Sequence, residues 1–224
     1  MPSTVVHAAV AFCLAVGLLG EFYDRRALVF VLAVVLAPEI DTFAGWFLDG
    51  AHRALLHNLV FTAVAAPVLL WDTTRESSWL RERFGARGVR LVWVGLFVHT
   101  FAHMLFDWSH LDGINLFYPI TDRFFNLDGE AFFSTAEGFT QTFIEVTTDP
   151  ETGQQSVDAG QGGTTGNTHV SSPVDPSPDP EPDGVDRRAP IAVQGWQLYL
   201  IVLGAFTLVA KKLQSPLPSE RDDD

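Results

Sequence analysis

The sequence predicts an all-α protein: a multi-pass transmembrane helix bundle of about five spans with a long, partly disordered acidic loop outside the membrane. Three observations lead there. Hydrophobic residues make up 47% of the 224 and charged residues only 18%, so apolar side chains dominate the chain. They fall in long runs separated by short polar connectors, where a single soluble domain would spread them periodically. One late stretch, by contrast, holds almost no large apolar residue.

Taken in order, the apolar runs cover 4–20, 27–48, 54–71, 88–108 and 191–210, against about 20 residues needed to cross the hydrocarbon core. The N-terminus has no positive region and no convincing cleavage site after Gly20, so it reads as a retained first helix. Pro38 removes a backbone donor and predicts a kink or break in the second span. Broken backbone at membrane depth survives only where protein or water covers it. Trp46, Trp71 and Trp108 lie at span ends, where an interfacial aromatic belt belongs.

The organisation follows: a membrane-embedded bundle over 1–120, an extramembrane cap over 121–148, an acidic linker over 149–190, a final transmembrane helix over 191–210 and a tail over 211–224. Within 137–146 the residues alternate loosely like a strand, one half of a hairpin turning at Asp149-Pro150. Residues 150–190 are rich in Gly, Thr, Ser, Pro and Asp, a composition of solvated disorder.

The formal net charge is -13 and the pI is about 4.8. The basic residues are nearly all Arg, a composition seen in proteins from high-salt surroundings, although an acidic tail gives the same total. No basic stripe exists to neutralise phosphates, so nucleic acid is not an expected partner; the lipid bilayer is. A single cysteine, Cys13, leaves any metal to His and carboxylate ligands. Connectors 21–26 and 72–90 with the C-terminal tail carry ten basic residues, among them Arg25, Arg26, Arg87, Lys211 and Arg221; Arg53, Arg123, Arg187 and Arg188 fall on the other side. The positive-inside rule then places the N-terminus and the 109–190 connector outside and the C-terminus in the cytoplasm of an integral cell membrane protein.

Ionisable residues inside spans are costly and call for a reason. They are His7, Glu39, Asp41, His57, His99, His103 and Asp107, with His52 just before the third span. With that topology, all fall in the outer half of their spans or near the bilayer centre. On a helix, residues 99, 103 and 107 drift only about 40° per step and share one face. His103 and Asp107 suit one Zn²⁺, Mn²⁺ or Fe²⁺ ion; alone, the pair reads equally as a hydrogen-bonded helix staple. His52 and His57 would lie about 140° apart on a regular helix and would not chelate one ion from it. Ligands from several helices meeting in a bundle core is a recurrent arrangement.

These residues carry a resemblance. His7, then Pro-Glu-Ile-Asp at 38–41, His-Arg-x-x-x-His at 52–57, His-x-x-x-Asp at 103–107, Gly113 and Phe117-Tyr118-Pro119 resemble the YdjM-type family of membrane-bound, predicted metal-dependent hydrolases, over roughly residues 1–120. Glu39 stands where that family usually has Asp; Ala54, Leu56 and Asn58 stand for its Gly, Thr and Ser. More distantly the spacing is similar to zinc-dependent phospholipase C. That likeness implies one site of Asp41, His57, His103 and Asp107, with His7, His52 and Glu39 available to a second ion. What the resemblance implies is a hydrolase using a divalent metal, zinc by preference; the topology puts it near the outer membrane face, and that location points to a lipid or phosphoester substrate. Glu39 or Asp41 would be the proton acceptor, Arg53 the anchor for an anionic phosphoester or lipid substrate. The alternative is a metal-binding transporter or sensor without turnover.

Overall fold

A computed structural model describes residues 3–48, 50–110, 112–136, 138–177, 187 and 189–214. Arg188, Arg221, Glu137 and most of the tail read from sequence lie outside these residues. The helices are α1 (Thr4–Leu18), α2 (Arg25–Leu36), α3 (Val60–Thr74), α4 (Trp79–Val98), α5 (Leu105–Trp108) and α6 (Gly195–Leu213). A 3₁₀ segment, Ala37–Trp46, follows α2, and a π-helical segment, His99–Met104, joins α4 to α5. Among the described residues three helical stretches are long and apolar enough to cross a membrane: Arg25–Trp46, Trp79–Trp108 and Gly195–Leu213. Thr4–Leu18 and Val60–Thr74 are apolar but shorter.

The all-α expectation is overturned. Four strands, β1 (Ala131–Ser134), β2 (Gly138–Gln141), β3 (Glu145–Thr148) and β4 (Gln155–Asp158), form two separate two-stranded antiparallel sheets, β1–β2 and β3–β4. The registers pair Phe133 with Phe139 and Val146 with Val157. β4 falls inside the stretch whose composition suggested a linker. Its polar residues carry no apolar signal, and the strand exists because a turn sets its register. Asp149 Oδ1 accepts the N–H groups of Glu151 and Thr152, and Gly153 at φ 71° donates its own N–H to the Asp149 carbonyl.

Two compact units divide the chain. One comprises 38–63 and 104–189, the other 2–37, 64–103 and 190–224. In the second unit, α1, α2 and α4 bury a core of small and β-branched residues around Ala11, Ala15, Val31, Val35 and Val98. α6 lies against α1 so closely that a Cβ on Gly204 would sit 2.8 Å from Ala9, the close helix approach that small residues permit in membranes. Helix starts are capped by side chains: Ser3 Oγ accepts from Val6, Asp24 from Ala27, and Ser78 from Arg81.

The 3₁₀ winding begins at Ala37, one residue before Pro38, where the missing proline donor and ring clash end the α-helix and the other unit starts. Residues 51–59 are irregular rather than the start of a helix at 54. Asn58 is responsible: its Nδ2 donates to the Ala54 and Leu55 carbonyls, and its Oδ1 accepts from the Val60 N–H, so the helix starts there. Segments 113–116, 124–126 and 160–163 are laced together by backbone bonds, Ile114 with Phe125, Phe124 with Gly163 and Asn126 with Gly160. Gly113 sits at φ 63°, and a Cβ there would lie 2.1 Å from the Phe125 carbonyl oxygen.

Candidate metal centre

Asp41, on the 3₁₀ segment, is the hub of a buried polar cluster. His52 donates Nδ1–H to its Oδ1 at 2.9 Å, and His57 donates Nδ1–H to its Oδ2 at 2.8 Å. The Leu56 N–H adds a third bond to Oδ2 at 3.2 Å. An ionised carboxylate only accepts, so both imidazoles carry a proton on Nδ1 and turn Nε2 elsewhere. A carboxylate behind a histidine is the arrangement that orients metal-ligating rings and raises their basicity.

The His57 Nε2 faces Asp107 Oδ2 at 3.5 Å. With Nδ1 protonated, this sets a lone pair against a carboxylate oxygen, and only a proton or a cation between them relieves that. Bond lengths of about 2.0–2.2 Å at a tetrahedral zinc put two ligand atoms about 3.3 Å apart, close to the separation seen. His52 Nε2 is buried without a hydrogen-bond partner among the described residues. Glu39, half-buried, brings a carboxylate oxygen within 4.8 Å of a His57 ring nitrogen. Ligand atoms of Asp41, His52 and His57 likewise lie within 4.8 Å of one another. Buried His and Asp residues here can hold a metal ion, and the N/O donor set fits Zn²⁺, Mn²⁺ or Fe²⁺.

Arg53, between the two histidines in sequence, has no exposed surface. Its Nη2 donates to Asp107 Oδ1 at 3.0 Å and its Nη1 to the Gly113 carbonyl at 3.0 Å. Its own carbonyl accepts from Asn115 N–H at 2.9 Å. The backbone at Arg53 is left-handed, φ 65°, a conformation that costs a non-glycine residue about 1–3 kcal/mol and persists only where its surroundings hold it. Just past the helix end, Asp112 is held below the usual carboxylate range, first by His110 beside it and, against the opposing effect of burial, by the charge of Arg53.

In the other unit, His7 and His103 stack with ring centroids 4.2 Å apart and planes 13° from parallel. His7 Nδ1 donates to the Ala102 carbonyl at 2.8 Å and His103 Nδ1 to the Val35 carbonyl at 2.6 Å. Both rings are fully buried, and both therefore present Nε2 as the lone pair.

Of the residues singled out in the sequence, Glu39, Asp41, His52, Arg53, His57 and Asp107 gather in one unit, and His7 and His103 in the other. His99 is buried in the π-helical segment. Sequence reasoning missed Asn115, which has no exposed surface and binds the Asp122 carboxylate at 2.7 Å while its Oδ1 accepts the Arg123 N–H. No spacing or composition marks it.

The sequence profile described as YdjM inner membrane protein matches residues 1–159. The chain belongs to the YdjM family. Its members are inner membrane proteins by that description, in keeping with the apolar helices found here. Inner membrane protein YbcI of Escherichia coli (strain K12) is 29% identical over 133 residues, which span 56% of this chain and 72% of the relative. No solved structure matches.

Proposed function

We propose that this YdjM-family protein is a membrane-bound metal-dependent hydrolase acting on a phosphoester or lipid near the outer membrane face. The observation that carries the reading is the opposition of His57 Nε2 and Asp107 Oδ2 across 3.5 Å, with Asp41 fixing the proton on the far side of the His57 ring. In this reading His57 and Asp107 hold the ion, zinc by preference, with His52 held beside them by Asp41, and His7 and His103 form a second imidazole pair able to ligate.

A bound divalent cation supplies Lewis-acid polarisation of an ester oxygen and makes a water acidic enough to act near neutral pH. The chain does the rest. Asp41 has both oxygens engaged by imidazole N–H groups, so its part is to orient His52 and His57. Glu39, only half-buried, is left as the proton acceptor. Arg53 holds one oxygen of Asp107 so that the other faces His57; its complete burial supports this positioning role over a direct grip on substrate. The outer-face location rests on the excess of Arg and Lys in connectors 21–26 and 72–90.

The near-complete burial of His52, His57 and Asp107 also favours a second reading, a protein that holds a metal without turnover. Elemental analysis of the detergent-purified protein before and after chelation tests both: about one or more divalent ions lost to chelator is expected, and none at all ends both. Metal-dependent cleavage of a chromogenic phosphodiester, abolished in Glu39→Gln with metal retained, supports hydrolysis. Retained metal without any turnover of phosphodiesters or phospholipids selects the second reading.

A further inference from the structure

Away from the histidines, the second unit gathers positive charge at the opposite ends of α1 and α6 and the start of α2. The chain as a whole carries a net charge of -13, so a basic cluster is an exception that needs a reason. Arg87 donates to Asp24 Oδ2 at 2.7 Å, and Asp24 Oδ1 accepts the Ala27 N–H, so the carboxylate that lines the hollow is already neutralised and occupied as a helix cap. Arg90 reaches the Leu18 carbonyl at the end of α1. Lys211, from the last turn of α6, stands 5.5 Å over the Tyr23 ring.

Arg25 and Arg26 remain. Both are exposed, and neither side chain hydrogen-bonds or ion-pairs with any described residue. With Asp24 and Arg87 they line a cavity of about 550 Å³. Three guanidinium groups against one neutralised carboxylate leave a net positive hollow, and the guanidinium fork matches the oxygens of a phosphate. The hollow lies at the first turn of Arg25–Trp46, a helical stretch apolar enough to enter the bilayer, which puts it at headgroup depth.

We infer that this cavity binds the phosphate of an anionic phospholipid headgroup, with Arg25 and Arg26 as its ligands and Arg87 tethered by Asp24 as the third wall. The site is separate from the metal centre and needs no turnover. Tyr23, whose hydroxyl is pushed above its ordinary pKa by burial, stays neutral beside it and does not repel the anion.

The test uses the full-length protein in detergent, with bound lipid counted by native mass spectrometry during titration with phosphatidylglycerol or phosphatidylcholine. Wild type should retain phosphatidylglycerol in preference, and Arg25→Gln and Arg26→Gln should each weaken that retention about fivefold, the double variant more. Both positions are exposed and unpaired, so the variants should keep wild-type helicity and metal content, which separates failure here from failure of the metal reading. Equal retention of the two lipids by wild type, or unchanged phosphatidylglycerol retention in the double variant, overturns the site. If inorganic phosphate alone binds as tightly as phosphatidylglycerol, the lipid assignment falls and a soluble phosphate ester takes its place.

Discussion

Two sets of buried imidazoles in this protein have their tautomers fixed by different means. His52 and His57 give their Nδ1 protons to one carboxylate, Asp41; His7 and His103 give theirs to backbone carbonyls, of Ala102 and Val35. A carboxylate brings charge as well as direction. It raises the basicity of the ring and makes the cluster costly unless a cation or guanidinium balances it. A carbonyl orients without that demand. The charged set is accordingly the one enclosed by an arginine and a second carboxylate. The difference is one of charge: the Asp41 set needs a balancing cation, and the His7–His103 pair is aligned by neutral groups.

The largest effect expected from breaking this comparison is at the balancing ion pair. Asp107→Asn leaves Arg53 buried without its anion and should cost roughly 3–5 kcal/mol of stability, read from unfolding in mixed micelles. The double variant Arg53→Met with Asp107→Leu should recover most of that stability and still bind no metal. If the single variant is as stable as wild type, the pair does not hold the loop.

Next comes the hub. Asp41→Asn should weaken metal binding by about 10–100-fold with helicity retained, measured by competition with a chromogenic chelator. The ¹⁵N shifts of His52 and His57 should move while those of His7 and His103 stay. Shifts that move in all four rings would remove the distinction drawn here. A smaller change is expected in the carbonyl-anchored pair: His7→Phe keeps the stack on His103 but deprives the Ala102 carbonyl of its donor, for a loss of about 0.5–1.5 kcal/mol.

The smallest effect lies outside both sets and serves as a control on pH. Asp24 is held below the ordinary carboxylate value of 3.8, first by the Ala27 N–H and then by Arg87. Because its folded pKa is depressed, the capping of α2 is complete above about pH 4 and is lost as pH falls through the lowered value. Acid titration followed by circular dichroism should show α2 loosening only below pH 4, and Asp24→Asn should remove that step.

Much of this was legible in the chain. The apolar runs gave the helices, Pro38 the end of α2, and the ordered His and Asp motifs the family. Two things were not. The five-residue spacing of His52 and His57 argued against chelation of one ion only on the premise of a regular helix. Asn58 ends that premise by capping α3 at Val60, and the irregular segment lets both rings reach Asp41. The alternation at 137–146 marked β2 and the start of β3, whereas β1 and β4 were hidden for the opposite reason. The residues of β4 are exposed, so no buried face imposes the period-two pattern that reveals a strand, and β3–β4 depends instead on the side chain of Asp149.

The ion pair between Arg53 and Asp107 joins positions 54 residues apart. During synthesis the guanidinium emerges well before its anion, and a buried charge without its partner is costly. The 50–59 segment is therefore expected to stay open to water until the segment ending at Trp108 has been made. Completion of the centre is a late event in biogenesis, and nascent chains truncated before Asp107 should leave that loop open to proteases and to water-borne labelling reagents.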